Sequence, residues 1–202
     1  SGYIPVIPLK NSVLFPDISM PMRVGREKSI AALQKALRDN HWVVLLTQKN
    51  PQDTIGKIED LYSIGTLAKV ESFRQDDDGS YAVFVKAHQR VRVVESREKE
   101  GFLEVLSESL PDFETIDSKT EEALFTSLKS LSLELVELLP GENIQLRGTL
   151  DQIESLSTYV NMCAAYAELT LSEKQEILES LDLKERTLKL LDRMQDLKER
   201  LK

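Results

Sequence analysis

The chain has 202 residues, 41% of them hydrophobic and 30% charged, with a formal net charge of −8 and a single cysteine. That length buries roughly 70% of the unfolded surface, so one large or two small domains can fold without staples. The lone thiol, Cys163, excludes an internal disulfide framework and fits a reducing, cytoplasmic setting, and no apolar run reaches the ~18 residues of a membrane span.

The first 24 residues contain four of the seven prolines, Pro5, Pro8, Pro16 and Pro21. Proline lacks a backbone donor and fixes φ, which predicts short strands joined by rigid corners. A helix follows over 25–40, with Ile30, Leu33 and Leu37 on one stripe. The continuous apolar run WVVLL (42–46) predicts a strand buried on both faces. DDDG (76–79) predicts a turn before a strand at 80–87, and Ala87-His88-Gln89 a short break before another at 90–96.

After Pro111 the apolar period becomes helical. Ser118 with Glu121, Thr149 with Gln152, Ser172 with Gln175 and Asp182 with Glu185 read as four capping boxes, hence four helices. The first ends at the Pro-Gly of 140–141, the second carries Leu150, Ile153, Leu156, Val160 and Ala164, and the third is short, around Ile177 and Leu178. In the fourth, Leu183, Leu190, Met194, Leu197 and Leu201, with Thr187 in the remaining slot, form a heptad seam that is still running at the last residue. That predicts a truncated helix, the start of a longer helix or coiled coil. The fold class expected is therefore α+β: a β-barrel or sheet domain with one helix at 1–111, then an all-helical subdomain at 117–202.

The charge is uneven. Residues 1–110 are neutral, whereas 112–154 hold three basic and ten acidic side chains. A solvated helical face explains such an excess, and a docking surface for basic partners is the sharper reading. The neutral β half lacks a basic stripe interleaved with aromatics, so no nucleic acid is expected to bind.

Chemistry-bearing motifs are missing. His41 and His88 stand apart, Cys163 lies on a helical stripe, and GxSxG, HExxH, CxxC and DxDxDG do not occur; neither do GxxxxGK[ST] or GxGxxG. No catalytic residue, metal ligand or cofactor site is assigned to this chain.

IPVIPLKNSVLFPDISMPMRVGREKSIAAL (4–33) resembles the N-terminal domain of Lon, the ATP-dependent bacterial protease, in its paired proline corners followed by VGREKS. Further likeness lies in LLTQKN (45–50), DLYSIGTLAKV (60–70), GSYAVFVKAHQRVRV (79–93) and LTLSEKQEILESLDLKERTLKLLDRM (169–194). The resemblance implies a PUA-like β domain and a helical subdomain leading into an AAA+ ATPase and a Ser-Lys serine protease. Both of those, with their ATP and Mg, lie outside this chain. It implies a non-catalytic role in protein quality control: recognition of unfolded, damaged or regulatory protein substrates, and assembly of protomers into a hexamer. A free-standing PUA-like binding module or adaptor is the alternative. On this resemblance the candidate substrate- or partner-binding residues are an apolar corner, Phe15, Pro16, Met20 and Met22, rimmed by the charges Arg26, Glu27 and Lys28, all expected to face solvent.

Overall fold

Among the described residues up to Pro111 there are six strands, one α-helix and a short 3-10 turn at Ile58–Asp60: β1 (Ile4–Leu9), β2 (Ser19–Val24), α1 (Glu27–Arg38), β3 (Trp42–Thr47), β4 (Ile64–Gln75), β5 (Tyr81–Lys99) and β6 (Phe102–Ser109). The structure is a computed structural model and describes residues 2–54, 57–113 and 115–202. Five helices follow: α2 (Ser118–Leu138), α3 (Ile144–Asp151), α4 (Leu156–Tyr166), α5 (Leu171–Glu179) and α6 (Leu183–Leu201). The chain divides into two compact units, one ending at Pro111 and the other beginning at Asp112.

The β unit is one sheet in the order β2-β5-β4-β3-β1-β6, closed because β5 pairs with β6 as well as with β4. Closure removes sheet edges from five of the strands and leaves β2 as the edge strand. What joins the ends is the length of β5. Its first half pairs with β2 and its second half with β6, so the predicted strands at 80–87 and 90–96 are one 19-residue strand. The expected break is a bulge: Leu67 faces Gln89 and Ala68 faces Ala87, which leaves His88 extra. A second extra residue, Val94, lies between Val93 and Glu95 and sharpens the bend further.

The prolines of β1 sit inside the sheet, and the pairing explains how. β6 pairs with β1 only at Ile4 and Pro5, whereas β3 runs parallel to Val6, Ile7, Pro8 and Leu9. The side of β1 beyond Pro5 is thus without a strand neighbour, where a missing donor costs no ladder bond. WVVLL is buried as expected, with Val43, Val44, Leu45 and Leu46 at 0–1% exposure. The barrel interior is formed by Val6, Val44, Leu46, Leu61, Val91, Leu103 and Val105. Helix α1 covers part of the outside by burying Ser29, Ala32, Leu33 and Ala36; Ile30 and Leu37 of the predicted stripe are only half-buried. One glycine is sterically obligatory here: a Cβ at Gly65 would lie 2.0 Å from the Leu45 carbonyl oxygen.

In the helical unit the predicted second helix is two, α3 and α4, separated at 152–155. Thr149 is no cap; it lies inside α3 and its hydroxyl donates to the Gln145 carbonyl at 2.9 Å. Ser155 caps α4, Asp117 rather than Ser118 caps α2, and Thr170 rather than Ser172 caps α5 in a reciprocal box with Glu173. Asp182 caps α6 as predicted, accepting from the Glu185 amide. The heptad seam is covered within the unit: Leu183, Thr187, Leu190, Met194 and Leu197 are buried, and Leu201 is 40% exposed. No helix among the described residues is long and apolar enough to cross a membrane.

Candidate functional site

The predicted corner splits on folding. Phe15 is completely buried together with Val13, Leu14 and Ile18, so it belongs to the core and not to an open patch. Asp17 turns the corner at φ 71, a left-handed conformation that Asp tolerates better than most residues, and its amide donates to the Ala87 carbonyl at 3.0 Å. Pro16, Met20 and Met22 remain half-buried.

The charged triplet does not present three free charges. Arg26 donates to the Pro8 carbonyl at 2.8 Å and to the Gln48 side-chain oxygen. Gln48, 1% exposed, donates in turn to the Asn50 and Asp53 carbonyls at 3.2 and 3.1 Å. Arg26 therefore ties the start of α1 to the open side of β1 and to the loop after β3. Burial lowers its pKa from the ordinary value, yet a guanidinium stays protonated. Lys28 pairs with Glu98 at 2.9 Å, both partly exposed. Glu27 is exposed in the first turn, where a negative charge suits the helix dipole. The three side chains edge a cleft of about 460 Å³ with Val6, Pro8, Lys10 and Leu103. Phe15, Pro16, Met20 and Met22 do not line it.

Two exposed apolar groups of the β unit lie elsewhere, on the arm where β4 and β5 pair beside β2. Phe73 is 51% and Phe84 42% exposed. The register places Met22, Val83 and Phe73 across from one another, and Pro21, Phe84 and Ser72 likewise. Cross-strand partners share a sheet face, so one face of the arm shows Phe73 beside Val83, with Met22 on the far side of Val83, and the other shows Phe84 beside Pro21. The Phe73 ring lies 6.4 Å from Tyr81 and 6.5 Å from His41, edge-on or tilted, which fixes its orientation. Phe73 and Phe84 are absent from the sequence-derived site because strand 64–75 carries no clean apolar alternation beyond Val70.

The arm is stiffened at its tip. The Asp76 amide donates to the Ser80 carbonyl at 2.8 Å, and Gly79 takes φ +89. Asp78 accepts from the Ser80 amide and hydroxyl, and Asp76 pairs with Arg74 and, at 2.7 Å, with Arg23 of β2. These hydrogen bonds hold both carboxyls below the usual range, Asp76 through Arg74 and Arg23, Asp78 through Ser80. Pro21 leaves the free edge of β2 one donor short, which hinders strand addition.

Reactive groups elsewhere are isolated. His88 packs its ring 4.9 Å from Trp42, and burial pushes the Cys163 thiol up to about 12, leaving it inert as a nucleophile. Among the described residues no three His, Cys, Asp or Glu side chains are grouped to hold a metal.

Residues 3–196 match the family model of the substrate-binding domain of ATP-dependent protease La, Lon. The chain belongs to this family. It is 68% identical over all 202 residues to Lon protease 1 of Bdellovibrio bacteriovorus, 34% identical over 194 residues to the Lon protease of Neorickettsia sennetsu, and 31% over 197 residues to that of Anaeromyxobacter dehalogenans. It spans 26%, 23% and 23% of those proteins, about a quarter of each. The fold is that of the N-terminal domain of a Mycobacterium avium complex Lon protease, with TM-score 0.78 at 19% identity over 96% of this chain and 98% of the other. The Lon N-terminal domain protein of Xanthomonas campestris is also similar, with TM-score 0.66 at 18% identity over 94% and 97%.

Proposed function

We propose that this Lon domain captures unfolded polypeptide by apolar contact, chiefly on the β2–β4–β5 arm, and performs no chemistry itself. The observation that carries the reading is the pair of exposed phenylalanines, Phe73 and Phe84, held on opposite faces of a stiff arm. An exposed phenylalanine on each face offers a flexible polypeptide a separate small apolar contact. Each such contact is weak. In an assembly of several protomers, which the domain would help to hold together as a cytoplasmic hexamer, tethered copies raise the effective concentration of substrate and convert weak contacts into retention.

Damaged or misfolded proteins are the proposed substrates, and degradation is the task of the parent protease. ATP, Mg and a Ser-Lys dyad belong to regions of Lon proteases beyond the quarter matched here. The residues present do not fit a nucleotide: none of the eight glycines stands in a phosphate-cradling motif. Full-length similarity to one region of Lon proteases favours this reading over a free-standing adaptor.

The test is binding of a permanently unfolded, fluorescently labelled protein. A Phe73→Ser/Phe84→Ser variant with an unchanged melting temperature is expected to bind at least five-fold more weakly. Unchanged affinity in that variant would overturn the assignment.

A further inference from the structure

A different surface, in the helical unit, suggests a preference for a particular kind of segment. An apolar pocket of about 160 Å³ opens between the ends of α2, α3, α4 and α6, lined by Leu139, Leu146, Met162, Tyr166, Leu201 and Glu168 among others. An engineered apolar cavity of about 150 Å³ holds one benzene. The pocket therefore admits one aromatic or branched aliphatic side chain, with flexible Met162 able to adjust to its shape. Its rim is apolar too: Tyr166 is 58% exposed.

Charge decides what should flank that side chain. Between residues 130 and 172 the chain carries six carboxylates and one basic residue, and on the α6 wall, which also carries Lys198 and Arg200, Arg193 pairs with Glu173 and Glu176 and Lys202 with Glu199. Glu137 pairs with the single base, Arg147, and Glu134 with Lys198. Lys174 acts on Glu168 from a distance but donates its ammonium to the Ala165 carbonyl at 2.8 Å. Exposed Glu142, Asp151 and Glu154 are in no ion pair among the described residues. Each lies within four residues of a pocket-lining leucine, Leu139, Leu146 or Leu150.

We infer that this pocket binds polypeptide segments in which one bulky apolar side chain is flanked by lysine or arginine, the apolar residue filling the cavity and the flanks facing the carboxylates. The inference rests on the reading of the chain as a polypeptide-binding domain, but not on the β2–β4–β5 arm. Such complementarity sets selectivity and association rate, and it weakens with salt.

The probes are three labelled decapeptides with one central tryptophan, flanked by lysines, by serines or by glutamates, titrated with the 202-residue chain at low and high salt. The lysine peptide is expected to bind at least ten-fold tighter than the glutamate peptide, with the serine peptide between and the difference shrinking in salt. Tyr166→Arg and the triple variant Glu142→Lys/Asp151→Lys/Glu154→Lys, all at exposed positions, should each lose several-fold affinity for the lysine peptide, while Phe73→Ser/Phe84→Ser should not. Equal affinity for the three peptides would overturn the inference, as would loss in the arm variant alone. So would a concentration-dependent dimer abolished by Tyr166→Arg, since a second copy would then fill the pocket. Loss of unfolded-protein binding in the arm variant with lysine-peptide binding intact would support both assignments separately; unchanged unfolded-protein binding in the arm variant, with lysine-peptide binding lost only in Tyr166→Arg and the triple variant, would remove the arm and keep the pocket.

Discussion

The β unit buries Glu104 and Arg90 and the helical unit buries Arg186, and the ion pairs of Glu104 and Arg186 are built differently. In the β unit Glu104, with a side chain 4% exposed, is reached by Arg97, whose side chain is 39% exposed and stacks 3.7 Å over the Tyr3 ring. The cation keeps contact with water. In the helical unit it is the cation that is fully buried: Arg186, at 0% exposure, donates to Asp112 at 2.8 Å and to the Ser180 carbonyl at 2.8 Å. Asp112 also accepts from Ser157 at 2.7 Å. One ion pair thus joins the first residue of the unit to α4, to the end of α5 and to α6. A closed sheet distributes its stability over many strand contacts. The helical unit adds a polar hub that ties three of its five helices together.

The sharpest way to break that comparison is to remove one partner of each pair. Asp112→Ala takes one carboxylate from a buried guanidinium and is expected to cost about 3–5 kcal/mol. Arg97→Ala removes a side chain that is itself 39% exposed and so opens Glu104 to water; it should cost well under half of that. Denaturant unfolding at 222 nm for helix, with emission of the single tryptophan, Trp42, for the β unit, measures both. Similar losses would make the hub no more than one tie among many.

Gly65→Ala tests the β unit where its strands are closest. The new methyl meets the Leu45 carbonyl oxygen at 2.0 Å and Leu46 Cδ2 at 2.8 Å. Backbone cannot rotate aside, so the cost should fall at the upper end of the roughly 1–3 kcal/mol seen for overpacking. A melting temperature like the parent's would show that the barrel yields there.

Arg26→Ala should cost about 1–3 kcal/mol, because Gln48 and the Pro8 carbonyl lose their donor. Glu27→Ala and Lys28→Ala should stay within about 0.5 kcal/mol, as exposed substitutions usually do. Three equal effects would mean that the triplet acts as one surface feature, contrary to the bonding of Arg26.

The smallest effect is one of pH. Backbone hydrogen bonds at the helix caps lower the pKa of Asp117 through Thr120, of Asp182 through Glu185 and of Glu173 through Thr170. A carboxyl whose folded pKa is depressed stabilises the fold above its unfolded value, near about 4, and that contribution is lost as pH falls through the folded value. The melting temperature of the helical signal should therefore fall below about pH 4 and stay flat from there to neutrality, as calorimetry at several pH values would show. A steeper loss between pH 5 and 7 would point to other groups.

The sequence by itself determined what short-range periodicity and turn chemistry can determine. Proline corners, the buried run 42–46, the turn at 76–79, the helical period after Pro111 and the Asp182 cap all depend on neighbours within a few residues, as does the family resemblance. Other features had two local solutions of similar energy. Thr170 with Glu173 and Ser172 with Gln175 both satisfy a capping pattern two residues apart, and only the packing of Ile177, Leu178 and Gln175 selects the first. Leu150, Ile153 and Leu156 fit one helix until Ser155 finds a better role as the cap of α4. His88 looked like a strand break because a bulge, defined by the partner strand, has no signature in one strand alone. Which side chains are open to a ligand was decided furthest from the local sequence. Phe15 and Phe84 both stand beside apolar residues in the sequence, yet one is fully buried and the other 42% exposed. The difference is where the closed barrel ends and the β4–β5 arm runs past it, a consequence of long-range pairing that no local window contains.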